Sequence, residues 1–169
     1  MTATPQIPDA ESTLEILADR MRGAVAFDAA FVGIYSGGAW IAERLGGMIA
    51  GEHPVGFIDV SFYRDDYART GLKSGVKRSE LPFDVNGARI VLVDDVLYTG
   101  RSVRAAINEL FDYGRPESIE LAVLIDRGGR ELPVEPTYCG ARLAVSRDLS
   151  VVLSRDAYRL VLGFEHAAN

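Results

Sequence analysis

A chain of 169 residues, 48% hydrophobic and 25% charged, can bury one substantial core and has the composition of an ordinary globular domain. No apolar run approaches the roughly 18 residues of a membrane span, and the single Cys139 excludes an internal disulfide. A net charge of −6 argues against general nucleic-acid binding, and two distant histidines, His53 and His166, make a poor zinc site with one thiol. The opening MTATPQIPDAES has neither the basic nor the apolar region of a secretory signal, so a cytoplasmic protein without a structural metal is expected.

Residues 1–10, with two prolines, read as a disordered leader to one domain spanning 1–169. Ser12 and Glu15 have capping-box spacing and predict a helix to about residue 25, with Leu14, Leu17, Ala18 and Met21 on one face. AFVGIYSGG (30–38) reads as a buried strand ending in glycines, followed by a helix over 39–50. PVGFIDVSFYRDD (54–66) is strand-like, alternating around Phe57, Ile58, Val60 and Phe62. Residues 67–86 show no clear period, and such a long loop inside a compact domain commonly carries function. Between 67 and 79 it holds Arg69, Lys73, Lys77 and Arg78 with no acid, a patch suited to an anion.

A strand over 88–96 and a helix over 101–113 follow, the helix closed by Gly114 with Pro116 beyond. SIELAVLIDRGG (118–129) is another apolar strand ending in an acid and glycines, and the last 40 residues read as short β pieces, DLSVVLS the clearest. Strands without polar alternation, interleaved with helices, predict an α/β domain whose parallel sheet carries helices on both faces.

Ligands of such sheets collect at the carboxyl ends of the strands. Three strand ends carry unusual residues: Ser36, Gly37 and Gly38; then Asp94 and Asp95; then Asp126, Arg127, Gly128 and Gly129. The turn Thr99, Gly100, Arg101, Ser102 places hydroxyls and a glycine where a helix begins, a natural anion site. The alternative is that Thr99 or Ser102 is only an N-cap. Adjacent carboxylates repel and need a cation or hydroxyl donors, so they are expected just beyond the last paired strand residue, where burial is avoided. A diol-binding acid pair beside a phosphate cradle points to a phosphorylated pentose. The chain has no P-loop, no G-x-G-x-x-G and no G-x-S-x-G.

VLVDDVLYTGRS resembles the phosphoribosyl-pyrophosphate (PRPP) motif of the type I phosphoribosyltransferases. Together with IDVSFYRDD, VGIYSGGAWIAERL and the stretch from 93 to 133, it makes the chain resemble the PyrR family over about 30–140. The resemblance implies a type I phosphoribosyltransferase fold with a small C-terminal hood. It also implies uracil phosphoribosyltransferase activity (uracil and PRPP to UMP and pyrophosphate), regulation of the pyrimidine operon through leader RNA, and a homodimer or higher oligomer. Asp94, Asp95 and Arg64 would be catalytic, the two acids holding the ribose hydroxyls. Ser36, Gly37 and Gly38 would form the pyrophosphate loop. Val96, Tyr98, Thr99, Gly100, Arg101 and Ser102 would bind the rest of PRPP, the last four its 5′-phosphate. Asp126 and Arg127 would lie by the base, and residues 63–66 would open a flap. Mg²⁺ would accompany PRPP, with no protein residue assigned as its ligand.

Two stretches depart from the family pattern. Gly37 stands where the first loop usually carries arginine, with Tyr35 in place of an upstream basic residue, and Gly129 replaces a histidine. Without that arginine a weak enzyme is expected, improved by Gly37→Arg. Any RNA site would be a local patch, with Arg20, Arg22, Arg130, Arg142 and Arg147 as candidates. The rival readings are a non-catalytic PRPP or nucleotide sensor, and transfer to another base.

Overall fold

The computed structural model describes residues 3–61 and 79–168. Five parallel strands form the main sheet in the order β2-β1-β3-β4-β5: β1 Ala30–Ile34, β2 Val55–Ile58, β3 Arg89–Leu97, β4 Ser118–Asp126 and β5 Tyr138–Arg142. The central β1, β3 and β4 are apolar along most of their length because both of their faces are covered. Helices α1 (Ala10–Met21) and α2 (Gly37–Met48) cover one face, where Leu14, Leu17, Ile41 and Leu45 pack with Phe31, Val91, Val93 and Leu124. Helix α3 (Arg101–Tyr113) covers the other, where Val103, Ala106 and Leu110 pack with Val32, Ile34, Leu92 and Val123. The expected doubly covered parallel sheet is present.

The hood is an antiparallel hairpin of β6 (Leu149–Asp156) and β7 (Arg159–His166). A two-stranded hairpin is marginal alone. This one buries Val151, Leu153, Leu160 and Leu162 in the core shared by α1 and α2. Glu11 joins the three elements: it accepts the Leu160 N–H at 2.8 Å and two donors of Arg44, at 2.7 and 3.2 Å. Arg44, with that N–H, holds the Glu11 carboxyl below its ordinary range against the effect of burial.

Several boundaries differ from the sequence reading. Helix α1 begins at Ala10 rather than after Ser12, because Asp9 is its N-cap and accepts the Ser12 N–H at 2.9 Å. Ile7 packs against the core, so the fold starts within the expected leader. Helix α2 begins at Gly37, so the glycines expected at the end of a strand are its first turn. Strand β2 stops at Ile58, and its residue Phe57 exchanges two 2.8 Å backbone hydrogen bonds with Glu80. His53 is half-buried, its ring stacked on Phe31 at 4.4 Å. Among the described residues no helix is long and apolar enough to cross a membrane.

The contact that positions the site is backbone on backbone. A β-carbon on Gly38 would run into the Val93 carbonyl oxygen, and one on Gly33 would lie 2.6 Å from Ala39 Cα. The start of α2 therefore rests directly on β1 and β3. Gly38→Ala should cost about 2 kcal/mol in urea unfolding, because overpacked backbone cannot yield cheaply. Gly47→Ala on the same helix, where a β-carbon meets nothing within 4 Å, should stabilise by about 1 kcal/mol. Equal effects of the two substitutions would contradict this packing.

Candidate active site

Asp94 and Asp95 lie inside β3, not beyond it: Asp94 pairs in register with Val123 and is 6% exposed. The sequence reading placed them outside to avoid burying charge. The strand keeps them because each carboxylate takes a local amide, Asp94 Oδ1 accepting the Asp95 N–H at 2.9 Å and Asp95 Oδ1 the Val96 N–H at 2.8 Å. Asp95 is half-buried and faces the 36–38 loop, where a β-carbon on Gly37 would fall inside its carboxylate. The arginine expected at 37 in relatives has no room here while Asp95 keeps this position.

Two helices open beside this pair, and neither has a side-chain cap: α2 starts after Ser36 and α3 after Gly100. Away from the acids, α1 is capped by Asp9. Open N–H groups and the helix dipole at α2 and α3 favour an anion. Gly100 has φ +93°, a left-handed conformation that favours glycine, with Val134 and Leu132 close behind it. The capping alternative accounts for one amide only, Thr99 Oγ1 accepting the Arg101 N–H at 3.2 Å. The turn is braced from behind, the Thr99 carbonyl accepting the N–H groups of Glu131 and Leu132 at 3.0 and 3.2 Å. Arg101 meets Glu131 through Nη2 at 3.0 Å, a pairing between segments far apart in sequence.

Asp126 ends β4 beside Leu97. Its buried carboxylate receives Arg130 at 2.7 Å, Arg142 at 3.1 Å and the Gly128 N–H at 3.0 Å. Burial alone would raise its pKa, but Arg130, the Gly128 amide and Arg142 together hold it below the ordinary aspartate range. Arg127 is also buried; its guanidinium donates to the Leu149 and Ser146 carbonyls at 2.7 and 3.0 Å and lies 4.0 Å over the Tyr98 ring. These two residues line a cavity of about 360 Å³ with Arg130, Arg142 and Leu143. Arg130 lines this cavity and meets Asp126, a place the sequence reading does not give it. Its four-residue spacing from Asp126 was the available signal.

The structure therefore brings Ser36, Gly37, Gly38, Asp94, Asp95 and the 96–102 stretch to one sheet edge, with Asp126 at the end of the neighbouring strand and Arg127 just beyond it. Arg64, the rest of the 63–66 flap opening and the basic residues Arg69, Lys73, Lys77 and Arg78 lie outside the described residues. Just after them, Ser79 donates to Glu109 at 2.5 Å, where burial raises the Glu109 pKa. Cys139 is buried, as expected of a small hydrophobe. Among the described residues no group of three or more His, Cys, Asp or Glu could hold a metal. Two carboxylates fit a magnesium ion that keeps its waters and the substrate's oxygens, rather than a protein-built cage.

The phosphoribosyl transferase domain family matches residues 14–142. The chain is 51% identical over 157 residues to the "Bifunctional protein PyrR" of Ralstonia nicotianae, covering 90% of each chain. It is 53% identical over 123 residues to the protein of the same name from Pseudomonas paraeruginosa, covering 73% of this chain and 72% of that one. Among solved structures, a hypoxanthine-guanine phosphoribosyltransferase from Bacillus anthracis superposes with a TM-score of 0.65 at 16% identity, covering 85% of this chain and 86% of the other. The hypoxanthine phosphoribosyltransferase of Trypanosoma cruzi gives a TM-score of 0.62 at 14% identity, covering 94% and 96%. At those identities the likeness concerns the fold.

The Asp126 cluster gives a pH prediction. Because the folded pKa is depressed, its stabilisation is complete above the unfolded value of about 4 and is lost as pH falls through the folded value. Asp126→Asn, which leaves two arginines without their carboxylate, should cost about 3 kcal/mol at pH 7. Urea unfolding across pH should show the gap to wild type shrinking at acid pH. A gap independent of pH would mean that Asp126 is not ionised in the fold.

Proposed function

The chain belongs to the phosphoribosyl transferase family, within it to the PyrR proteins, and on that footing we propose that it transfers the phosphoribosyl group of PRPP to N1 of uracil. The C1–N1 bond forms, the C1–O bond to pyrophosphate breaks, and N1 gives up its proton, yielding UMP and pyrophosphate. One observation carries the reading: two uncapped helix starts converge on an adjacent acid pair, with the 36–38 backbone pressed against Asp95. In this reading Asp94 and Asp95 accept from the two ribose hydroxyls and fix C1 between base and leaving group. The start of α3, with Thr99, Gly100, Arg101 and Ser102, binds the 5′-phosphate, and Val96 and Tyr98 line the PRPP site between the acids and that turn. Ser36, Gly37 and Gly38 offer backbone N–H groups to the pyrophosphate as charge builds on it. Asp94, Asp95 and substrate oxygens would hold the Mg²⁺ that accompanies PRPP, and it would supply charge to offset part of the pyrophosphate's. Asp126 and Arg127 border the base beneath the hood, and Arg64 joins catalysis from the flap.

The same reading gives the chain a second task as a pyrimidine-operon regulator that binds leader RNA in the cytoplasm as a homodimer or larger assembly. Of the candidate basic residues, Arg130 and Arg142 are engaged with Asp126, while Arg20 donates to the Cys139 carbonyl at 2.6 Å. Gly37 favours the rival sensor in one respect, since the loop has no charged donor. Losing a donor aimed at transition-state charge costs roughly a hundred- to thousandfold in rate. The proposal is accordingly a slow enzyme, and Gly37→Arg should slow it further by displacing Asp95, contrary to expectation from sequence.

Titrating PRPP with Mg²⁺, then adding each nucleobase and following pyrophosphate release, should give turnover with uracil and little with hypoxanthine or guanine. Asp94→Asn and Asp95→Asn should each weaken PRPP binding about tenfold or more, since hydrogen bonds to charged groups contribute roughly 1.5–3 kcal/mol. PRPP binding without turnover on any base would support the sensor; turnover on purines alone would move the chain to another base.

RNA binding has its own test. With a net charge of −6, contact must rest on a local basic patch and counterion release, so affinity for a pyrimidine leader RNA should fall steeply between about 50 and 200 mM salt. Affinity that ignores salt over that range would rule out such a patch.

A further inference from the structure

The stretch from 127 to 130 wraps around Tyr98. The Arg127 guanidinium lies 4.0 Å over its ring, and the Arg127 N–H donates to the Leu97 carbonyl at 3.1 Å. Arg130 Nη1 donates to the Tyr98 carbonyl at 3.0 Å. Gly129, at φ +81°, presses its backbone against the ring: a β-carbon there would overlap Cε2 and lie 2.8 Å from Cδ2. The neighbouring Gly128 has a similar φ, +72°, yet a β-carbon there meets nothing within 4 Å. Residue 129 is thus confined by the tyrosine ring as well as by its backbone conformation.

Tyr98 also joins two halves of the site. Its chain neighbour Thr99 opens the phosphate turn. Arg127, stacked on the ring, holds the hood through the Ser146 and Leu149 carbonyls. We propose that Tyr98 is a positioning residue, whose ring, clasped by Arg127 and Gly129, sets the base end of the site against the phosphate turn. The inference rests on the phosphoribosyltransferase reading and deepens it. Displacing the ring shifts the 127–130 stretch and the hood above it, while the phosphate turn keeps its brace from Glu131 and Leu132. The loss should fall on ligands that carry a base and a phosphate together, and much less on a sugar phosphate alone. The hydroxyl takes no part, because the ring makes the contacts.

The two glycines make the test. Binding of UMP and of ribose 5-phosphate is measured by calorimetry for Gly128→Ala and Gly129→Ala, each in the wild-type and Tyr98→Ala backgrounds. Both alanines bear the left-handed backbone cost, and only the second meets the ring. Gly129→Ala should weaken UMP binding about tenfold more than Gly128→Ala, with ribose 5-phosphate changed by about threefold or less. In the Tyr98→Ala background the two alanines should converge, since the methyl enters vacated space. Tyr98→Phe, which keeps the ring, should recover UMP affinity relative to Tyr98→Ala. Should Gly129→Ala fail to fold, recovery of folding by added Tyr98→Ala supports the contact, and no recovery overturns it. Equal UMP losses for the two alanines, or a gap that survives in Tyr98→Ala, overturn the inference alone. A wild-type chain that binds no UMP strikes the proposed function, and the inference falls with it.

Discussion

The approach of the α2 start to β3 is the constraint on which the site depends. Gly38 lies on the Val93 carbonyl and Gly37 on the Asp95 carboxylate, and no larger residue fits without moving one partner. Strand order puts β1 beside β3, so the loop leaving β1 arrives over the acids by topology. Glycine then closes the last few ångströms, bringing open amides next to carboxylates without a side chain intervening. The same closeness removes the volume an arginine would need at 37. Intimacy between the loop and the acid pair, and a charged donor at that position, exclude each other in this geometry.

The hood answers a different constraint. Too small to fold alone, it shares its apolar residues with α1 and α2, and Glu11 fixes it through Arg44 and the Leu160 amide. Arg127 fixes its other end by two carbonyl hydrogen bonds. The cavity beside Asp126 and Arg127 is therefore bounded by parts whose positions derive from the main core. Arg127 gives its terminal donors to backbone carbonyls, so it braces the hood from beside the cavity it lines.

What was legible in the sequence follows how local each signal is. The helix over 101–113 was readable to its ends because periodicity, the Thr99-Gly100 turn and Gly114 are all local. The parallel sheet was readable because β1, β3 and β4 are apolar on both faces. The burial of Asp94 was not, since strand patterning alone treats a charge as a terminator, while the compensating hydrogen bond depends on side-chain conformation. Asp9 outcompeted Ser12 as the α1 cap, and both satisfy the same rule, so local chemistry could not choose between them. Arg127 on Ser146 and Leu149, Gly37 on Asp95 and Gly129 on Tyr98 join positions distant in sequence. No spacing within one segment encodes them.

Stability is given up at the same places where chemistry is proposed. A capping side chain commonly contributes about 1 kcal/mol, and α1, remote from the acids, has one. The helices α2 and α3, which open onto them, have none. Asp94 is buried inside a strand where an aliphatic side chain would pack without electrostatic cost. The fold can carry these local losses because the two core clusters on either side of the sheet are continuous and the hood adds to one of them. Evenly distributed sacrifices would say little about function. Here two uncapped helices and a buried acid meet at one edge of one sheet, an arrangement whose open amides and carboxylates together suit a phosphorylated sugar.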